Sequence, residues 1–156
     1  MNYETPKIIK DLENLDYHTE DDCIDFQPYG NFLNKEKTAF IIHCWTGDNN
    51  YHGEEFRIFG CRASGCEFAI WLKNENTDLL NQPVVLLESE GQAYTISTNY
   101  SDFLWYLIGL EENVNKSVSD YVLKNVTTTK RDIDDILNEA NKEYNFREYI
   151  WSKVIY

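Results

Sequence analysis

The stretch from Gln82 to Leu107 constrains the fold more than any other part of the chain. Pro83 heads the run Val84-Val85-Leu86-Leu87, and a strand tolerates a missing amide donor at its first residue. Ser89-Glu90-Gly91 then turns the chain, with Gly91 supplying the positive φ that a tight turn demands. Tyr94-Thr95-Ile96-Ser97-Thr98 resumes β-type composition, so residues 83 to 98 are expected to form a hairpin. Asn99 can cap the next element, a helix, because Tyr100, Phe103, Leu104, Leu107 and Ile108 fall at i, i+3, i+4, i+7 and i+8 before Gly109. A hairpin running directly into a capped amphipathic helix points to a sheet with helices packed on it.

Other segments extend this pattern. Thr5-Pro6 reads as an N-cap and first helical residue, with Ile8, Ile9, Leu12 and Leu15 on one helical face. Thr38 to Trp45 is dense in β-branched and aromatic residues and ends at Thr46-Gly47-Asp48-Asn49-Asn50, which predicts a strand running into a loop. Phe56 to Phe59 and Cys66 to Leu72 predict two more strands, with Gly60 and Gly65 bracketing their hairpin connection. A last helix is expected from near Thr129, with Asp132 in its first turn and Ile133, Ile136, Leu137, Ala140 and Tyr144 along one side. Residues 17 to 37 carry turn signals at Pro28 and Gly30 but no assignable element. The expected class is α+β: a mostly antiparallel central sheet of about five to six strands, with helices at the N- and C-terminal parts.

At 156 residues the chain suits one domain, spanning 1 to 156, with one core. Hydrophobic residues at 42% and aromatics at 15% exclude a disordered protein. The opening ten residues lack a signal-peptide core, and no apolar run approaches the ~20 residues of a membrane helix. The chain is therefore expected to be soluble and cytoplasmic, with Cys23, Cys44, Cys61 and Cys66 as thiols and the sequons at Asn99, Asn115 and Asn125 incidental.

Asp and Glu number 27 against 14 Lys and Arg, for a net charge of -13. Such a field repels phosphate backbones, which argues against direct nucleic-acid binding. It would steer a basic protein partner toward the surface, although solubility alone is the other reading of the same charge.

Catalytic and metal signatures are weak. Zinc sites are usually built from two close ligand pairs, whereas Cys61-x4-Cys66 is a single, looser pair. Adding Cys44 and one of His18, His43 or His52 would complete four ligands, but no spacing favours that set. On facing strands of a hairpin, Cys61 and Cys66 would instead permit a cross-strand disulfide under oxidation. His43 beside Cys44 resembles a base and nucleophile, yet neighbours in a strand point to opposite faces, which leaves His43 packed beside Ile41 and Trp45. Acidic pairs such as Asp21-Asp22, Glu54-Glu55 and Asp134-Asp135 are most simply solvated faces. The chain contains no Gly-x-Ser-x-Gly, His-Glu-x-x-His or phosphate-loop motif. No catalytic residue, metal or cofactor is expected.

The block from Glu55 to Gly109 carries a further pattern: Phe56-Arg57-Ile58-Phe59-Gly60, Gly65-x-x-Phe68-Ala69-Ile70-Trp71-Leu72, Gln82-Pro83-Val84-Val85-Leu86-Leu87-Glu88-Ser89-Glu90-Gly91, and Asn99-x-x-Asp102-Phe103-Leu104-Trp105-x-Leu107. In order and spacing this resembles the SUKH superfamily, the cell-wall-regulator-like proteins, over roughly a third of the chain. Glu88 stands where a glycine is usual in that family, and Cys61-Arg62-Ala63 occupies a loop that usually carries Gln/Arg-Asp-Gly. The resemblance implies an α+β domain and, for many bacterial members, an immunity role in which a cognate toxin is bound and its active site covered. Other members are thought to regulate or scaffold, which is the alternative for this chain. With that reading, the candidate partner contacts are Asp48, Tyr51, Glu54 and Glu55 in the loop after Trp45, and Glu88 and Glu90 at the second turn. The motif residues Gly91, Asp102, Phe103, Leu104 and Leu107 are expected to serve the fold, with Asp102 at the positive end of its helix.

Overall fold

A computed structural model describes residues 2–18, 24–110 and 115–153. Among these residues five strands form one antiparallel sheet in sequence order: β1 (Gln27–Pro28), β2 (Phe56–Cys61), β3 (Glu67–Trp71), β4 (Val84–Leu87) and β5 (Ala93–Ser97). Six helices accompany it among the described residues: α1 (Lys7–Lys10), continued by a 3-10 turn to Asn14, α2 (Lys35–Thr46), α3 (Tyr100–Gly109), α4 (Lys116–Asn125), α5 (Ile133–Glu143) and α6 (Phe146–Lys153). The fold is α+β, with the 56–72 and 83–98 hairpins and the Asn99-capped helix where the sequence pattern places them. The Asn99 side chain accepts from the Asp102 amide at 2.8 Å, and Gly91 adopts φ 85°.

Both faces of the sheet are covered, which explains why Phe68–Trp71 of β3 and Val84–Leu87 of β4 read as unbroken apolar runs. Successive side chains on a strand point to opposite faces. Phe68, Ile70, Val84 and Leu86 accordingly join Ile9, Leu12, Phe103, Leu107, Val118 and Ile136 on one side. Ala69, Trp71, Val85 and Leu87 join Ile42, Phe146 and Ile150 on the other. Four phenylalanines, Phe26, Phe59, Phe68 and Phe103, meet with ring centroids 5.2–6.4 Å apart, mostly edge to face. Each is fully buried, and a phenylalanine so placed contributes about 1.5–3 kcal/mol.

The segment 38–45 is helical and not a strand. Thr38, Ile41, Ile42, Trp45 and Thr46 recur at i, i+3, i+4, i+7 and i+8, the spacing of one helical face, and Thr38, Ile42 and Thr46 are buried. Asn34 caps the start, its side chain accepting from the Lys37 amide at 2.8 Å, and Gly47 ends the helix at φ 74° with its amide on the His43 carbonyl. Local β preference yields here to capping and to a buried stripe. The fifth strand is supplied by Gln27–Pro28, which pairs with Cys61 and Gly60.

Two smaller expectations also change. Thr5 does not cap α1; its hydroxyl accepts from the Phe32 amide at 2.7 Å and ties the N-terminal segment to the chain before α2. The C-terminal helix starts at Ile133, with Asp132 at its N-cap, and is followed by α6. Asn145 and Glu148 exchange hydrogen bonds at the start of α6, Glu148 N to Asn145 Oδ1 at 3.2 Å and Asn145 Nδ2 to Glu148 Oε2 at 2.9 Å, in the manner of a capping box.

Candidate functional site

Helix α2 separates the six candidate contacts into two groups. At its N-terminal end Lys35 pairs with Glu54 at 3.1 Å. Near its C-terminal end the Trp45 indole donates to the Glu88 carbonyl at 2.8 Å. Lys35 and Trp45 are about 15 Å apart along the helix axis, so Glu54 and Glu88 mark opposite ends of α2, while Asp48 lies just past the C-terminal end with its amide on the Thr46 hydroxyl at 3.1 Å.

Within the first group the residues play different parts. Asp48 is buried, 6% exposed, and its Oδ1 accepts from the Asn50 amide at 2.8 Å, which shapes the turn after Gly47. Glu54 is exposed, and its hydrogen bond with Lys35 followed by their charge attraction lowers its pKa. Glu55 is half-buried and receives two tyrosine hydroxyls on Oε1, from Tyr51 and from Tyr149, the latter at 2.8 Å. Burial, then the hydrogen bond and charge of Glu55, raise the Tyr51 pKa. Burial and then the charge of Glu55 raise that of Tyr149 to about 12. In the second group Glu90 is exposed and Glu88 is half-buried, with the Glu88 amide and carbonyl bonded to Gln92 and Gly91 across the turn. Tyr149 lies on α6, a helix absent from the sequence-based expectations; the Asn145-x-x-Glu148 spacing is the local signal for it.

Beside the 88–91 turn, α2 and the sheet form a groove of about 250 Å³ lined by Phe40, Ile41, Cys44, Trp45, Glu67, Leu87 and Ser89. Phe40 is 68% exposed, the largest exposure of any big hydrophobic side chain among the described residues. Trp45 stacks on Trp151 of α6 with centroids 5.5 Å apart. Glu67 is half-buried and accepts from the Tyr29 hydroxyl at 2.7 Å. Desolvation raises its pKa, and the Tyr29 hydrogen bond opposes that shift.

The cysteines do not converge. Cys61 pairs across the hairpin with Glu67 and lies on that residue's side of the sheet, whereas Cys66 is buried among the phenylalanines of the opposite face. They are therefore not a facing pair, because the register shift between Ile58 and Gly60 in β2 offsets the strands by one residue. Cys44, Cys61 and Cys66 are free thiols; Cys23 lies outside the described residues. His43 does not pack on the face of Ile41 and Trp45. Its Nε2 is 2.9 Å from His52 Nδ1, one ring donating and the other accepting, which ties α2 to the 47–55 loop. Among the described residues no three His, Cys, Asp or Glu side chains are grouped to hold a metal ion.

Asp102 is a structural residue. Only 2% exposed, its carboxylate meets Arg131 Nη1 at 2.9 Å and the Thr128 hydroxyl at 3.3 Å, which fastens the first turn of α3 to the segment leading into α5. No helix among the described residues is long and apolar enough to cross a membrane. Comparison with known protein families, curated proteins and solved structures gives no match.

Proposed function

We propose that this chain is a non-enzymatic immunity-type protein that neutralises a basic toxin domain by covering its active site. The observation that carries the reading is the charge of -13 together with the exposed carboxylate of Glu54 beside Lys35 at one end of α2, the exposed Glu90 in the turn whose Glu88 carbonyl Trp45 reaches near the other end, and the exposed Phe40 on the helix itself. Charge flanking an apolar centre suits fast capture of a basic surface followed by desolvated contact. A nuclease is one such partner, since its nucleic-acid groove must itself be basic. The resemblance of residues 55 to 109 to the SUKH superfamily supports the same reading, with a regulatory scaffold as its alternative.

The test is capture of the toxin-like product of the adjacent gene by the purified chain, followed across salt concentrations, with the toxin's activity assayed in the complex. Salt-sensitive capture with loss of activity supports immunity. Capture of an endogenous protein without inhibition supports the scaffold role. Failure of well-folded chain to bind either kind of partner sinks both.

A further inference from the structure

A second cleft, of about 540 Å³, opens beside the start of β2, between the N-terminal segment and the 72–82 connection. Its volume is in the range of small-molecule sites, and its lining combines unlike charges. Glu4, Glu55 and Glu75 contribute carboxylates, Leu72 and Leu79 an apolar wall, and Arg57 the cation.

Arg57 is the unusual member. It is 1% exposed, and among the described residues its guanidinium has no carboxylate bonded to it. Nε donates to the Asn2 carbonyl at 2.9 Å, and Nη1 donates to the Glu54 and Phe56 carbonyls at 2.8 and 2.9 Å. The Tyr3 ring lies 3.9 Å from Cζ. Nη2 is buried and has no hydrogen-bond partner among the described residues. A buried donor left unpaired costs about 1–3 kcal/mol, more when charged, and a guanidinium fork is shaped to receive a carboxylate. The 73–78 wall is held firmly, with Gln82 Nε2 donating to the Asn74 and Thr77 carbonyls at 2.5 and 2.9 Å. The opposite wall is the Asn2–Glu4 segment, and it is the part that must shift for a ligand oxygen to reach Nη2.

We infer that this cleft binds a basic α-amino acid, or the same chemistry at the C-terminus of a peptide. The α-carboxylate completes the open donor of Arg57, the aliphatic stem lies along Leu72 and Leu79, and the cationic end is held among Glu4, Glu55 and Glu75. The charges are complementary in sign: the guanidinium faces the ligand's carboxylate and the three acidic side chains face its cationic end. Neither a simple anion nor a simple amine satisfies both ends.

Isothermal titration calorimetry of the full chain with L-lysine, L-arginine, glycyl-L-lysine and cadaverine tests this. Saturable binding is expected for a ligand with both groups, with cadaverine weaker by at least about tenfold because it lacks the carboxylate. Glycyl-L-lysine binding as well as lysine identifies a peptide terminus; binding about tenfold worse identifies the free amino acid. Glu75→Gln, a change at an exposed loop position, should weaken binding by about threefold. Arg57→Lys should erase the preference for lysine over cadaverine. If that variant fails to fold, the cadaverine and Glu75→Gln measurements decide. No saturation by any of the three carboxylate ligands below roughly 10 mM, or cadaverine binding as tightly as lysine, overturns the assignment.

Discussion

Gly53 lies directly against Ile42: a Cβ on Gly53 would stand 2.5 Å from Ile42 Cγ1 and 3.1 Å from Phe56 Cδ2. The loop after α2 is thus pressed onto the helix it leaves, at a position where φ is also +65°. Gly47, at the other end of the same loop, has φ +74° but open space around its missing side chain. The two glycines separate backbone strain from packing. Gly47→Ala should cost about 1–2 kcal/mol for the left-handed conformation alone. Gly53→Ala should add a further 1–3 kcal/mol, roughly the cost of overpacking a core. Urea denaturation of both variants measures the difference, and equal losses would mean that Ile42 gives way freely.

Asp48 and its acidic neighbours divide in the same way. Asp48→Ala removes the acceptor that holds the Asn50 amide in the turn, and loss of a hydrogen-bond partner by a buried group typically costs about 1–3 kcal/mol. Glu54→Ala and Glu90→Ala, both at exposed positions, should stay within about 0.5 kcal/mol of the native chain. Against a basic partner the order reverses. The Glu54 and Glu90 variants should slow association and flatten its salt dependence, which stopped-flow mixing at two ionic strengths would show. An Asp48 variant of full stability would remove the structural role assigned to that carboxylate.

These divisions mark the reach of local sequence signals. The hairpins and α3 are legible because their signals are local and agree with one another: Pro83 before an apolar run, Gly91 at a turn, Asn99 before a helical stripe. The α2 segment reads as a strand because Ile41, Ile42 and Trp45 favour strands as single residues, while the helical spacing and the Asn34 and Gly47 caps are properties of the whole segment. The site residues are harder still. Nothing local says that Tyr149 reaches Glu55 across 94 residues, that Arg131 pairs with Asp102, or that Asp48 turns inward, because each depends on how distant elements pack.

Arg131 offers a test of that long-range packing. Its side chain is 28% exposed, whereas that of Asp102 is 3% exposed. Removing the cation leaves a buried carboxylate with, among the described residues, the Thr128 hydroxyl, Asn99 and the helix N-terminus around it. Arg131→Met should cost about 1–3 kcal/mol, the range for stranding one partner of a buried polar pair. Asp102→Asn in that background should recover part of the loss, since it removes the stranded charge and keeps an acceptor. A double-mutant cycle by urea denaturation reads the coupling; additive losses would mean that the pair does not hold α3 to α5.

Glu67 gives a pH-dependent prediction of definite sign. Burial raises its pKa above the ordinary carboxylate value, against the opposing Tyr29 hydrogen bond, so the folded chain binds this proton more tightly than the unfolded chain does. The group therefore favours folding at low pH, where it is protonated in both states, and that contribution is lost as pH rises through the folded pKa. Glu67→Gln keeps an acceptor for Tyr29 and carries no charge to desolvate. It should raise the urea midpoint at pH 7, and the gap should close as pH falls below the carboxylate range. Tyrosines limit the alkaline side: Tyr149 is raised to about 12 from an ordinary value near 10, so its contribution is whole below pH 10 and disappears as pH climbs toward 12. Midpoints measured from pH 3 to pH 12 for both chains check the two limbs together. A Glu67→Gln curve parallel to the native one throughout would show that Glu67 is no more desolvated when folded than when unfolded, and the groove beside Phe40 would then be wet at its floor.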